Sequence, residues 1–413
     1  MTLVNRVFGI TALLNERKKK GLFRECQICA RVPGPDGGHG HGSRELRTAS
    51  GTFLNFASND YLGLTDHPEI LEALREGIAE YGAGTGSSPL VTGLTPAHEE
   101  LSERLRDITG KEAVLLFSTG FAANQALIKA FMALKAGICL DRLAHASMQD
   151  LAFYARKLFR FRHNDTDHLE RHLIAGNSPG IIVTEGVFSM DGDLAPLKRL
   201  QELREKFRTP LILDDAHGFG VHGPRGHGTP ALVCSSFENT DIYMGTLSKA
   251  VGLSGAFIAG EREFLSFMTN TSREYIYSTM APAFLARGAL KSLNIIEGSE
   301  GEERRGHLAT LIRRFRANMA ELLPEYCPES ETAIQPVIIG NTENLARVAA
   351  ELRREGIIAG AIRPPTVPEG TARLRITLTA AHREQDTDFL AEKLSGIVRM
   401  IRNKTSANTE NTA

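Results

Sequence analysis

Short apolar runs alternate with amphipathic segments between about residues 51 and 290, and a polar residue or a glycine follows nearly every run. Runs rich in Val, Ile and Leu with such boundaries are typical of buried parallel strands, and the amphipathic segments between them are typical of crossover helices. The pattern therefore predicts repeated β-α units around a mostly parallel central sheet. The predicted strands are Ala113–Phe117, Gly137–Leu140, Ile181–Val183, Leu211–Leu213, Ile242–Met244 and Ala256–Ile258.

The pattern changes on both sides of this segment. Residues 3–20 predict a helix that ends in three lysines, and the Gly- and Pro-rich residues 33–42 predict a loop, so residues 1–50 are expected to form a helix and a linker. After residue 290, helical and strand-like segments predict a smaller α+β domain over 291–402, followed by a disordered tail over 403–413. Those segments are the helices Glu302–Leu323 and Thr342–Glu355 and the strands Val337–Ile339 and Arg373–Leu378.

The composition is that of a folded protein without a strong electrostatic field. The chain has 413 residues, of which 42% are hydrophobic and 23% charged, which is enough for a large core and a second, smaller one. The 48 Lys and Arg residues nearly balance the 49 Asp and Glu residues, so we expect neither a nucleic-acid nor a membrane partner. We find no apolar stretch of about 18 residues and no signal-peptide pattern, and we predict a cytoplasmic protein.

The five cysteines raise one alternative, a zinc site. Cys26 and Cys29 form a C-x-x-C pair, and His39 and His41 follow it in an HGHG segment. A single C-x-x-C is a weak signal, and HGHG lies in a composition typical of a flexible linker. We therefore expect free thiols and no bound metal.

Three residues near two strand ends carry the most informative chemistry. Lys249 lies in TLSKAVG after the strand at 242–244, and Asp214 and His217 lie in LILDDAHG after the strand at 211–213. Ligands of open α/β sheets bind beyond the carboxyl ends of the strands. A lysine can hold the aldehyde of pyridoxal 5'-phosphate (PLP) as a Schiff base, a carboxylate can keep the ring nitrogen protonated, and a histidine can bind the ring hydroxyl. The pattern predicts a PLP enzyme.

Two other strand ends supply candidates for a flat, phosphorylated ligand. In STGFAANQALIKA, Gly120 can make a tight turn before a helix whose first N–H groups could bind phosphate, and Phe121 could cover a ring. In DRLAHAS, His145 could stack on a heteroaromatic ring. A strand-glycine-helix junction is more often purely structural, and a single histidine more often fills an ordinary hydrogen-bonding role.

Hydroxyl groups and a further acid complete the set. Glu185 and Ser189 follow the strand at 181–183 in VTEGVFSMDGD, where the Ser189 hydroxyl could contact a cofactor or cap the turn. Thr246 and Ser248 precede and follow Leu247 in the lysine motif and could donate to phosphate.

Long strings of this chain match one family together. STGFAANQA, HASMQD, VTEGVFSMDGD, DDAHGFGV and IYST resemble the α-oxoamine synthases, a family of fold-type I PLP enzymes, and the resemblance runs from Leu54 to His382. It implies a fold-type I transferase of the α/β class, with a mostly parallel central sheet in a large domain at 51–290 and a smaller C-terminal α+β domain. The glycine-rich loop at 82–93 departs from the family pattern in detail.

The resemblance implies roles for the residues that match its motifs. Lys249 would bind the cofactor aldehyde, Asp214 the ring nitrogen and His217 the ring hydroxyl, and His145 would stack on the ring and contact the substrate. The other residues expected at the cofactor are Gly120, Phe121, Ser189 and Thr246, with Thr246 on the phosphate.

Substrate and subunit contacts are also implied. Asn59 in SNDYLG and Thr366 in RPPTVP would lie near the substrate, Arg375 would hold an amino acid carboxylate, and Arg24 matches an acyl-donor contact loosely. The family further implies a homodimer with shared active sites, in which Tyr277, Ser278 and Thr279 face the partner's cofactor.

The implied reaction is the decarboxylative condensation of an amino acid with an acyl thioester. RPPTVPEGTARLR favours the branch that joins L-alanine to pimeloyl-CoA or to a pimeloyl carrier protein. Alternatives within the family use glycine with acetyl-CoA or succinyl-CoA, or serine with a long acyl-CoA. An aminotransferase would share the lysine and the aspartate, and a zinc-binding regulator is the non-enzymatic alternative.

Overall fold

The structure is a computed structural model that describes residues 2–32, 42–176, 180–233 and 237–410, with side chains described as far as residue 402. Two β-sheets organise this part of the chain. The strands are β1 (Ala30–Arg31), β2 (Glu45–Thr48), β3 (Gly51–Phe56), β4 (Ala113–Phe117), β5 (Gly137–Asp141), β6 (Leu158–Phe161), β7 (Gly180–Glu185), β8 (Leu211–Asp214), β9 (Ile242–Thr246), β10 (Ala256–Gly260), β11 (Ile334–Gly340), β12 (Ile357–Ile362) and β13 (Ala372–Thr377).

Helices connect most of these strands. They are α1 (Leu3–Phe8), α2 (Ile10–Lys19), α3 (Pro68–Tyr81), α4 (Pro96–Thr109), α5 (Gly120–Ala133), α6 (Ala146–Ala152), α7 (Thr166–Ile174), α8 (Leu197–Phe207), α9 (Pro230–Val233), α10 (Arg262–Thr271), α11 (Arg273–Ile276), α12 (Ala283–Glu297), α13 (Ser299–Leu322), α14 (Thr342–Arg354) and α15 (Glu384–Glu410). Across the described residues, none of these helices combines the length and the apolar character needed to cross a bilayer.

The large sheet has seven strands in the order β4-β10-β9-β8-β7-β5-β6, and it contains all six predicted strands within one or two residues. Strands β9, β8, β7, β5 and β6 pair in parallel, whereas β10 runs antiparallel to both β9 and β4. Both faces are covered. Leu211 and Leu213 of β8 pack into one hydrophobic cluster and Ile212 packs into the other, which explains why the strands appear as unbroken apolar runs.

The small sheet has six strands in the order β1-β2-β3-β12-β13-β11 and is built from both ends of the chain. β3 pairs in parallel with β12, with Leu54 opposite Ile357. The predicted domain boundary at residue 51 therefore differs from the structure, because β3 belongs to the sheet of the smaller domain. The short polar strands β1 and β2 lack the apolar run that identifies a buried strand.

The two ends of the chain also differ from their predictions. The helix expected over residues 3–20 is divided at Gly9, whose positive φ of 61° ends α1 while its N–H bonds Asn5 O. At the other end, α15 continues to Glu410, so residues 403–410 are helical rather than disordered. The predicted linker at 33–42 lies almost entirely outside the described residues.

The carboxyl ends of β4, β5, β7, β8 and β9 meet at one edge of the large sheet, because β10 alone runs in the opposite direction. This edge, here called the site edge, is where the predicted functional residues emerge.

A half-buried histidine holds one loop of the site edge in place. His163 follows β6, and its ring lies between two carboxylates, with Nδ1 3.0 Å from Asp141 Oδ1 and Nε2 2.8 Å from Asp193 Oδ2. Asn164 adds bonds to the same two acids. Burial opposes the positive charge, but the hydrogen bonds to Asp141 and Asp193 outweigh it and raise the pKa of His163 to about 10. The imidazolium therefore joins β5 to the loop that carries Ser189.

Replacing His163 with alanine is expected to destabilise the fold by about 3 kcal/mol, because it leaves two acids without their shared cation. The raised pKa also predicts a pH dependence. The contribution of His163 is fully present below its unfolded pKa of about 6.5 and is lost as pH rises toward 10. Thermal unfolding at pH 7 and pH 10 measures both effects. A pH difference equal in the wild type and in His163→Gln would contradict this account.

Candidate functional site

The site edge encloses an open-mouthed cavity of about 180 Å³. It brings together residues that are far apart in the sequence. Seven of the predicted cofactor residues line it, namely Gly120, Phe121, His145, Asp214, His217, Thr246 and Lys249.

Lys249 reaches the cavity from the turn that follows β9. Gly252, with a φ of 77°, donates its N–H to Lys249 O at 2.9 Å and closes this turn. Burial lowers the pKa of the Lys249 amine to about 8, although the nearby acids Asp214 and Glu185 favour its charged form. About a tenth of this amine is therefore unprotonated at pH 7, far more than for an ordinary lysine, and can act as a nucleophile or a base.

The two acids of LILDDAHG point in different directions. Asp214 faces the cavity, where its Oδ1 accepts from Ala216 N at 2.9 Å and its Oδ2 accepts from Asn124 Nδ2 at 2.6 Å. Asp215 is fully buried and accepts from Thr229 N, Thr229 Oγ1 and Tyr243 Oη, each at 2.8 Å. Asp214 keeps unused acceptor capacity at the cavity, whereas Asp215 ties β8 to its neighbours.

Burial sets the ionisation of Asp215. It raises the pKa of Asp215 to about 7, and the hydrogen bonds from Thr229 and Tyr243 only partly oppose this effect. Of the adjacent pair, Asp214 is the acid that can meet a cationic group in the cavity.

His217 is held as a neutral imidazole. Its Nδ1 lies 2.5 Å from Tyr61 Oη, and burial, followed by the charges of Lys249 and Arg375, lowers its pKa well below the ordinary value. Tyr61 Oη is also 3.3 Å from Asn59 Oδ1, so this tyrosine connects the cofactor residues to the predicted substrate residues. The sequence signal for a functional role of Tyr61 was its position inside SNDYLG. A tyrosine beside apolar residues, however, suggests only a core residue.

Arg375 emerges from β13 at the side of this network. Its Nε donates to Ser189 O, and its Nη1 donates to Asn59 Oδ1 at 3.1 Å and to Thr377 Oγ1 at 3.0 Å. Arg373, two residues earlier, forms an ion pair with Asp191. Among the described ion pairs, none involves Arg375, although this side chain is buried. A buried guanidinium held only by neutral oxygens is suited to an incoming carboxylate.

Arg24 and Thr366 form a separate, exposed pair. Arg24 Nη2 is 3.4 Å from Thr366 Oγ1, and Arg363 donates to Phe23 O beside them. The structure thus brings these two predicted residues together, but no described hydrogen bond joins them to the cavity. Tyr277, Ser278 and Thr279 are exposed on the surface.

Gly120 is required where α5 approaches β9. A Cβ at this position would lie 2.8 Å from Thr246 Cγ2 and 3.2 Å from Met244 Cε, so any side chain would displace the cavity wall. Thr119 caps α5 by accepting from Ala122 N at 3.1 Å, and Thr246 Oγ1 lies 3.2 Å from Ala216 O. The helix start and the Thr246 hydroxyl therefore lie at one end of the cavity.

His145 is oriented by its own helix. Its Nδ1 lies 2.8 Å from Ser147 Oγ and accepts from Ser147 N at 3.2 Å as the cap of α6, and the ring remains open toward the cavity. The acceptor role of Nδ1 leaves the proton of the neutral ring on Nε2.

The sequence did not identify Asn124 as a functional residue. It is buried on α5, and its amide donates to both Asp214 and Ser147. Its position beside Gln125, in the otherwise apolar stretch after Phe121, was the only signal.

The arrangement fits PLP. The cavity offers an amine with a lowered pKa for an aldehyde, a carboxylate for a ring nitrogen, a neutral histidine for a hydroxyl and a space beside Gly120 that a side chain would fill. In the described part of the chain no group of three or more His, Cys, Asp or Glu residues could hold a metal ion. Cys26 and Cys29 are exposed free thiols, and His39 and His41 lie outside the described residues.

Comparison with known proteins agrees with this fit. Residues 52–394 match the family model for aminotransferase class I and II. The chain is 46% identical over 388 residues to 8-amino-7-oxononanoate synthase of Aeromonas hydrophila, covering 94% of each protein. It is 44% identical over 403 residues to the enzyme of that name from Leptothrix cholodnii, covering 94% of this chain and 98% of that protein.

Solved structures give the same picture. A high-resolution structure of SPT with its PLP internal aldimine superposes with a TM-score of 0.85 at 26% identity and covers 97% of this chain and 99% of that one. The 8-amino-7-oxononanoate synthase of Francisella tularensis superposes with a TM-score of 0.73 at 26% identity, and the match covers 84% of this chain and 98% of that one.

Proposed function

Because this chain belongs to the aminotransferase class I and II family, we propose that it is a PLP-dependent acyltransferase that makes 8-amino-7-oxononanoate in biotin biosynthesis. In this reaction L-alanine and a pimeloyl thioester give 8-amino-7-oxononanoate, carbon dioxide and a free thiol. The observation that carries the proposal is the cavity in which Lys249, with a pKa of about 8, lies with Asp214 and His217.

Each side chain of the cavity has a task that its surroundings support. PLP, when bound, supplies an electron sink for the carbanion at the alanine Cα. Lys249 would hold the aldehyde until the alanine amine displaces it, and the freed Nζ would then take the Cα proton, which its lowered pKa favours. Asp214 keeps the proton on the ring nitrogen, and the neutral His217, held by Tyr61, faces the ring hydroxyl.

The remaining residues bind and orient the substrates. Arg375 receives the alanine carboxylate, with Asn59 and the Ser189 carbonyl fixing its direction. His145 covers the ring face and separates the reacting carbon from bulk water. Phe121, Ser189 and Thr246 line the cofactor, and Arg24 and Thr366 contact the acyl donor. The alanine Cα would then bond to the thioester carbonyl carbon as the thiol leaves. The carboxylate would be lost as carbon dioxide, and a proton would return to Cα to give the product.

A thiol-release assay tests this function. The purified protein with PLP is given L-alanine, glycine or serine in turn, together with pimeloyl-CoA, acetyl-CoA, succinyl-CoA or palmitoyl-CoA. We expect free thiol and carbon dioxide with alanine and the pimeloyl thioester. Preference for another pair would assign the chain to another α-oxoamine synthase branch, and amino transfer to a keto acid without thiol release would make it an aminotransferase.

Replacing Arg375 with lysine is expected to raise the KM for alanine by about ten- to a hundredfold. The substitution keeps the charge but loses the planar pair of donors, and a hydrogen bond to a charged group contributes about 1.5–3 kcal/mol. Steady-state kinetics with each substrate varied in turn measures the change. The KM for the thioester should stay constant. Arg373→Lys is the matched control, because Arg373 pairs with Asp191. Equal effects at both positions would contradict the assignment.

We also propose a homodimer with shared active sites. The support is the exposed segment Tyr277 to Thr279, next to Met280, whose N–H bonds Ser87 O of the glycine-rich loop. A cytoplasmic location and the choice between pimeloyl-CoA and a pimeloyl carrier protein stay predictions. Comparing thiol release from the two donors at equal concentration decides the second.

A further inference from the structure

Glu185 is the one cavity acid to which the proposed chemistry gives no task. It ends β7 directly beside Asp214, its register partner on β8, and it lines the same cavity as Lys249. Only 2% of its surface is exposed. Two acids at neighbouring strand ends therefore face one amine.

One carboxyl oxygen of Glu185 is unsatisfied. Its Oε1 is buried and has no hydrogen-bond partner among the residues that the structure describes, while the backbone of His145 bonds the carboxyl. A buried polar atom without a partner costs about 1–3 kcal/mol, so this carboxyl would gain stability from any group that supplied the missing hydrogen bond.

The surroundings determine the charge of this acid. Burial raises the pKa of Glu185 well above its ordinary value, and the negative charges of Asp214 and Asp141 raise it further. Lys249 and the hydrogen bond from His145 oppose the shift. The net effect keeps a proton on the carboxyl, which makes it a hydrogen-bond donor.

A neutral Glu185 also matters for Lys249. A charged acid at this position would stabilise the ammonium form of the amine and hold it in the unreactive state. With Glu185 neutral, Asp214 is the acid of the cavity lining that is left to meet the ring nitrogen.

We propose that Glu185 is an additional cofactor-binding residue, a neutral carboxylic acid in the cavity lining that donates a hydrogen bond to PLP and adds no charge beside Asp214 and Lys249. This inference rests on the proposed function only through the cofactor. It does not depend on which amino acid or thioester reacts.

Two variants of similar size distinguish the effect of the hydrogen-bond donor of residue 185 from the effect of its side-chain shape. Glu185→Gln keeps a neutral side chain with a hydrogen-bond donor, and Glu185→Met keeps the length without a donor. The dissociation constant of PLP is measured by titrating the apoprotein, and the visible absorbance of the loaded protein is followed against pH. Thiol release is measured separately, so that failure of the proposed function is distinguishable from failure of this inference.

We expect the dissociation constant of PLP for Glu185→Gln to lie within about threefold of the wild-type value. The pH midpoint of its visible absorbance should lie within about half a pH unit of the wild-type midpoint. Glu185→Met should bind PLP about tenfold more weakly, the loss expected for one hydrogen bond. A midpoint lowered by about one unit or more in Glu185→Gln would show that Glu185 is charged and would overturn the proposal. Wild-type PLP affinity in Glu185→Met would overturn it as well.

A measurement on the wild-type protein covers the case in which Glu185→Met fails to fold. The infrared difference spectrum between wild type and Glu185→Gln at neutral pH should contain the carbonyl band of one protonated carboxyl. A carboxylate band in its place would contradict the neutral state.

Discussion

Replacing Lys249 with alanine is expected to lower turnover by at least about 10³-fold while the protein keeps its fold. A positioned general base contributes about 10²–10⁴-fold by itself, and this lysine also holds the cofactor. The side chain lies at the cavity and not in the core, so little packing is lost. Thiol release with alanine and the pimeloyl thioester measures the rate. Borohydride reduction of the wild type, followed by peptide mass analysis, should place the PLP mass on the Lys249 peptide.

Lys111 provides the matched control for this experiment. It is another partly buried lysine with a pKa lowered by burial, and its Nζ donates to Phe237 O at 2.8 Å, away from the cavity lining. The Lys111→Ala variant should turn over at the wild-type rate and should still carry the borohydride-trapped PLP mass on its Lys249 peptide. A Lys249→Ala variant with a near-normal rate, or a label on any other peptide, would remove the basis for the proposed chemistry.

Replacing Asp214 with asparagine is expected to reduce turnover by about 10- to 10³-fold. An opposite charge within about 4–6 Å shifts a pKa by one to three units, so a neutral partner would leave the ring nitrogen that much easier to deprotonate. The asparagine oxygen can still accept from Ala216 N, and a flip of the Asn124 amide lets its unpaired Oδ1 accept from the new NH2 group, which preserves the local geometry. Turnover is followed by thiol release, and PLP retention by the visible absorbance of the purified variant.

Asp215, the neighbouring acid, provides a control that distinguishes the loss of a charge in the cavity from the loss of a charge in the core. Asp215→Asn alters a residue bound by Thr229 and Tyr243, so we expect a lower melting temperature with far smaller loss of turnover. If both asparagine variants lost turnover equally, the distinction between the two acids would be wrong.

Much of the large sheet could be predicted because its strands are buried on both faces. An apolar run such as 211–213 followed by two acids has few interpretations other than a buried strand. The same logic located Lys249, Asp214 and His217, since polar groups directly after a buried strand must have partners. The cavity brings these three residues together.

Other features depend on contacts that no local pattern records. The reversed direction of β10 follows from its pairing with β4 and β9, and β6 contains an arginine that interrupts its apolar run. The division of the first helix depends on one glycine at a position where helix and turn are close in free energy.

The residues that support the site were the hardest to predict. Tyr61 and Asn124 act by positioning His217 and Asp214, and each lies in sequence that suggests ordinary core packing. A role for either residue appears only when the strand ends are brought together in three dimensions.

The small sheet has a consequence for synthesis on the ribosome. Leu54 emerges early, but its partner Ile357 is made only near the end of translation. The β2-β3 hairpin must therefore remain unpaired along one edge while the large sheet is completed, and an open strand edge is prone to association with other chains. Arg375 lies on β13, beside β12, so a nascent chain acquires the predicted carboxylate-binding residue only when this edge is about to close.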